Sequence, residues 1–97
     1  MLKFEDIQRT VVKYGKEYGA QNIYLFGSYA RGDANEHSNV NLRIDKGSII
    51  GGIALAGLLL DIEGKLGVQV DLVTTGSLSE DFLSAISREE KILYANN

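Results

Sequence analysis

The stretch Leu25–Asp45, LFGSYARGDANEHSNVNLRID, decides how this chain is read. With the residues before it, NIYLFG (Asn22–Gly27) is a short apolar run stopped by glycine, a length that suits a strand buried on both faces better than a helix. Gly27 and Ser28 then make a turn. Glycine allows close backbone approach, and the N–H groups that follow a strand end point outward, which favours an anion. Taken alone, such a pair is an ordinary turn. From Ser38 to Asp45 the residues alternate, with Val40, Leu42 and Ile44 on one side and Asn39, Asn41, Arg43 and Asp45 on the other. That pattern predicts a half-buried strand with Asn39 and Asn41 on its polar face, their Cα atoms about 6.6 Å apart.

Outward from this stretch, Phe4, Ile7, Val11, Tyr14 and Tyr18 form a helical stripe closed by Gly19. Ser48 is placed to cap a helix running to about Leu66 and closed by Gly67, with an Asp61–Lys65 ion pair. Gly51, Gly52 and Gly57 inside it imply a close neighbour, since each costs about 1 kcal/mol against alanine. VQVDLV (Val68–Val73) alternates as a third strand with Asp71 on the polar side. Ser77 with Glu80 and Ser87 with Glu90 read as capping boxes, predicting a helix near Ser79–Ser87 and a further helical turn after it. The fold class is therefore α/β (α+β), a small mixed β-sheet covered by helices, in one domain over residues 1–97.

Composition narrows the function classes. The 97 residues are 44% hydrophobic and 24% charged, with no cysteine, which excludes disulfides and thiolate metal sites. A net charge of −3, with its ten Lys and Arg scattered, argues against nucleic acid as the main partner. The uncharged run Ile49–Leu60 is shorter than the roughly 18 residues that a membrane span needs and reads as a buried helix. Glu5 and Asp6 interrupt any secretory signal, so a cytoplasmic protein is expected. The same run is apolar nearly all round, which predicts a homodimer or a partner interface there. His37 reads as a solvated loop residue, Asp45 as an exposed strand-end acid, and Tyr14 and Tyr18 as the edge of the core.

Asp71 has the parity to join Asn39 and Asn41 if their strands are neighbours. Three oxygen-bearing side chains would then converge beside the Gly27–Ser28 turn, an arrangement suited to a metal-bound nucleotide. GSYARGDANEHSNVNL closely resembles the signature of the minimal nucleotidyltransferases of the DNA polymerase β-like superfamily, Gly-Ser-x-Ala-Arg-Gly, a polar loop, then Ser-Asp-x-Asp-Leu. VDLV, RIDKG and TTGSLSEDFL extend the likeness over nearly the whole chain.

The resemblance implies transfer of AMP from a Mg²⁺-bound nucleotide, ATP in the first instance, to an acceptor hydroxyl. It places Gly27 and Ser28 on the triphosphate and Arg31 beside it or bracing the loop. Asn39, Asn41 and Asp71 would be the catalytic and metal-binding positions, and a HEPN-type toxin the acceptor or partner, with this chain as its antitoxin. Asn39 and Asn41 stand where the pattern has aspartates, leaving one carboxylate of three. Two readings stay open: an impaired nucleotidyltransferase, and a non-catalytic module that binds nucleotide or partner and neutralises it by occlusion.

Overall fold

The computed structural model describes residues 1–96. The N-terminal helical stripe forms α1 (Phe4–Tyr18). The Lys3 N–H donates to the Asp6 carboxylate at 3.2 Å to start it, and Gly19 at φ 80° ends it. The chain continues through β1 (Asn22–Phe26), a single helical turn α2 (Ser28–Arg31) and β2 (Val40–Asp45). After α3 (Gly52–Leu66), β3 (Val70–Thr74) and a 3₁₀ turn come α4 (Glu80–Ser87) and β4 (Lys91–Ala95).

The sheet order is β3-β2-β1-β4, with β2 and β3 parallel and the other pairs antiparallel. Period-two alternation does what it predicts on one face. Ile23, Leu25, Val40, Leu42 and Ile44 are fully buried there, against Ile7 and Val11 of α1 and Leu58 and Ile62 of α3. The opposite face is lined by Asn41 and Arg43 of β2 and their cross-strand neighbours Phe26 and Tyr24 of β1. Phe82 of α4 meets Phe26 edge-on at 6.1 Å, so α4 lies over that second face. No helix among the described residues is long and apolar enough to cross a membrane.

Several expectations need correction. Ser48 does not cap α3; its N–H donates to the Gly19 carbonyl at 3.0 Å, and the helix starts after Gly51, whose φ of 84° and ψ of 161° no helix accepts. Asp61 takes the Tyr18 hydroxyl at 2.6 Å instead of pairing with Lys65. This bond brings the Tyr18 ring against Gly57, where a β-carbon would lie 3.0 Å from the hydroxyl oxygen; Gly51 and Gly52 face open space. Nor is Ile49–Leu60 a buried helix throughout: Ile50, in the turn before α3, and Ile53, in its first turn, are 88% and 92% exposed.

The further helical turn after α4 is replaced by a fourth strand. Ser87 Oγ donates to the Ser84 carbonyl and Ser77 Oγ to the Thr74 carbonyl, so neither expected capping box forms. The working cap is Ser79, whose Oγ accepts the Phe82 N–H at 3.2 Å. Beyond it, KILYA pairs with β1 and buries Leu93 and Tyr94. The Tyr94 ring packs over Gly15 of α1, where a β-carbon would come within 3.0 Å of it. Cross-strand pairing and this burial outweigh the local helical signal.

Candidate nucleotide site

The three sequence-chosen positions meet at one end of the sheet. Asn41 pairs in register with Asp71 across the parallel β2–β3 ladder, and Asn39 sits just ahead of β2. The Asn39 amide Nδ2 donates to Asp71 Oδ2 at 3.4 Å. Gly27, at the end of β1, closes the third side. A β-carbon on Gly27 would stand 2.5 Å from Asn41 Nδ2, so the absence of a side chain lets the strand-end turn settle on that amide. Its φ of 82° and ψ of −156° are open essentially to glycine alone.

Ser28 opens α2. The Gly27 carbonyl accepts the N–H groups of Ala30 and Arg31, both at 3.0 Å, whereas the Ser28 and Tyr29 N–H groups belong to the first turn, which has no intrahelical acceptors. With the Ser28 hydroxyl they make three hydrogen-bond donors in the turn that follows Gly27. Arg31 braces the loop. Its guanidinium donates to Asp33 at 3.2 Å and to both Glu89 oxygens at 3.2 and 3.1 Å. Those bonds to Glu89 and then Asp33 raise its pKa further above its ordinary value.

The sequence reading missed the neighbours of this turn. Glu89 and Glu90, consecutive residues between α4 and β4, reach opposite ways. Glu89 Oε1 accepts the Gly27 N–H at 3.2 Å, while Glu90 grips Arg43 at 2.6 and 3.0 Å. Arg43 is 8% exposed, stacks 4.0 Å over the Tyr24 ring and donates to Thr75 Oγ1 at 2.7 Å. The bond to Glu90 raises its pKa against the opposing effect of burial. Asp45 is not the exposed acid expected from its strand-end position: it accepts the Thr75 hydroxyl at 2.6 Å and the Asn22 amide at 3.0 Å. Burial pushes its carboxyl up, but Thr75, Asn22 and Arg43 outweigh burial and hold it below the usual range. Arg43 lay on the polar face by parity and the Glu-Glu pair stood beside an apolar run; both signals were present but had no partner until β4 was placed.

The donor set does not fit a two-ion Mg²⁺ site. Asp71 is the one carboxylate of the three, its Oδ2 already receives the Asn39 amide, and among the described residues no three acidic or histidine side chains converge. A cleft of about 420 Å³, bordered by Arg9, Lys13 and Lys65, lies between α1 and α3 on the other face of the sheet. His37 stays in the loop, exposed, its N–H donating to Asn35 Oδ1 at 2.8 Å.

The family described as Polymerase beta, Nucleotidyltransferase matches residues 5–97. The chain belongs to this nucleotidyltransferase family. It is 34% identical over 93 residues to protein adenylyltransferase MntA of Thermococcus cleftensis, covering 92% of this chain and 94% of that protein. A solved structure assigned as a minimal nucleotidyltransferase superposes with a TM-score of 0.81 at 30% identity, covering 93% of this chain and 95% of that one. A toxin–antitoxin complex solved with AMP-PNP gives 0.79 at 25% identity, covering 93% and 74%. A complex of tri-AMPylated Shewanella oneidensis HEPN toxin with its MNT antitoxin, at 23% identity and a TM-score of 0.71 over 93% and 71%, shares the fold. The mixed four-stranded sheet with its helices is thus the minimal nucleotidyltransferase fold.

Proposed function

We propose that this nucleotidyltransferase domain is the antitoxin-type partner of a HEPN-type toxin, holding ATP against the Gly27–Ser28 turn, with AMP transfer weak or absent in the form described. The carrying observation is the Asn39–Asp71 hydrogen bond beside Asn41. Where a metal-loaded site would present carboxylates, this one presents two amides. An amide N–H donates directly to a phosphate oxygen, which a carboxylate cannot do. Ser28, Tyr29 and the two asparagines together therefore suit a triphosphate without a cation between them. Loss of two carboxylates also removes repulsion against the ligand.

The adenylyltransferase name of the Thermococcus relative, the AMP-PNP in one related complex and the HEPN toxin in another support the ligand and the partner. The test is incubation of the chain and a candidate HEPN-type partner protein with radiolabelled ATP, alongside calorimetry with and without Mg²⁺. ATP binding that persists without Mg²⁺, and a stoichiometric complex carrying little label, is the expected result. Rapid labelling of the partner would overturn the impairment; absence of both nucleotide binding and complex would overturn the whole reading.

A further inference from the structure

The Gly27 N–H comes just after the last ladder position of β1, on a buried residue, and would be an orphaned donor without a side-chain acceptor. Its acceptor comes from 62 residues away. Glu89 reaches it from the connection between α4 and β4, and that connection is fixed independently by the buried Glu90–Arg43 pair. The carboxylate of Glu89 is itself held by Arg31, three residues beyond Ser28, so the acceptor is tied to the same turn it orients. The Glu89 side chain keeps 27% exposure and the Arg31 side chain 47%.

The geometry points to Glu89 as the positioning residue of the nucleotide turn, an assignment that rests on the ligand reading given above. Its bond to the Gly27 N–H fixes the Phe26–Gly27 peptide at the head of the turn whose next two N–H groups are those of Ser28 and Tyr29. Arg31 has a second task here. A carboxylate next to a phosphate site repels the ligand unless a cation neutralises it, and the Arg31 guanidinium does so within 3.1 Å. Glu89 thus orients the donors with its own charge paired to the Arg31 guanidinium, which it shares with Asp33. The two residues act as one unit, and Glu89 touches no phosphate itself.

The test compares Glu89→Ala and Glu89→Gln with the unaltered chain, by ATP calorimetry and by amide hydrogen exchange. Gln keeps an oxygen for the Gly27 N–H; Ala keeps none. Glu89→Ala is expected to weaken ATP binding by about tenfold, the scale of a lost bond to a charged acceptor, and to speed exchange at Gly27 by a similar factor. Glu89→Gln should stay within about threefold of the unaltered chain in both readouts, and the Ile23 and Leu42 amides of the core should exchange as before in both variants. ATP affinity untouched by Glu89→Ala, or exchange that rises equally at Ile23 and Leu42, overturns the assignment, the second outcome because it marks a general loss of structure. If the unaltered chain binds no ATP, the proposed function fails, and exchange at Gly27 alone then decides whether Glu89 holds the turn.

Discussion

Gly27 is the residue on which the site's geometry depends most directly. Its backbone lies where a side chain costs about 1–3 kcal/mol in conformation alone, and a β-carbon there would also displace the Asn41 amide. Gly27→Ala is expected to lower unfolding free energy in urea by roughly 2 kcal/mol and to abolish measurable ATP binding. Retained affinity at full stability would show that the turn relaxes freely. Asn39 and Asn41 carry the complementary prediction. Aspartate is nearly isosteric with asparagine, so the double change Asn39→Asp with Asn41→Asp should fold, should be slightly less stable without Mg²⁺ and should be stabilised by it. Pyrophosphate release with the cognate acceptor should then become Mg²⁺-dependent; inactivity of both forms with a verified acceptor would favour pure occlusion. These positions were legible because strand parity fixes a side chain's face from sequence alone. Glu89 was not, because its role depends on a contact across 62 residues that no local spacing encodes.

At the scale of elements, the connection between α4 and β4 is tied to the second face of the sheet by Arg43 and Glu90. Removing Glu90 leaves the buried Arg43 guanidinium with Asp45 alone, at 3.6 Å, so the loss sits at the low end of the about 3–5 kcal/mol that a fully uncompensated buried charge costs. Glu90→Ala should therefore cost close to that and lower Tm sharply, whereas Glu80→Ala on the exposed side of α4 should leave Tm almost unchanged. Asp45 adds a pH dependence. Its carboxyl is held below the ordinary range, so its contribution is whole above about pH 4, the unfolded value, and is lost as pH falls through the lowered one. Asp45→Asn should be less stable at neutral pH and decline less between neutrality and acid; an identical slope in both proteins would refute that. Elements with strong periodicity, α1, β1 and β2, were legible in kind and nearly in extent. The start of α3 and the whole of β4 were not, since a glycine's backbone angles and the pairing of an edge strand are set by tertiary partners rather than by neighbours in the chain.

Across the whole molecule, half of the exposed large apolar side chains among the described residues lie on α3 and the turn before it. Ile50, Ile53 and Leu60 are 88%, 92% and 64% exposed, and this is where self-association or partner docking is expected. Ile50→Asp and Ile53→Asp should reduce sedimentation mass or partner affinity while preserving ATP binding; a monomer whose partner binding tolerates both would remove the interface. The sheet order has a separate consequence for how the protein comes to exist. β1 is a central strand, yet one of its two neighbours is β4, the last element of the described chain. During synthesis β1 must wait with an open edge until Lys91–Ala95 has left the ribosome, and Glu89 and Glu90 arrive only just before it. Closing so long a loop is slow relative to local helix formation. Nucleotide affinity should consequently return with the slowest refolding phase and with no earlier one, which makes ATP binding a readout of completed folding: a chain able to bind it has already shut the sheet.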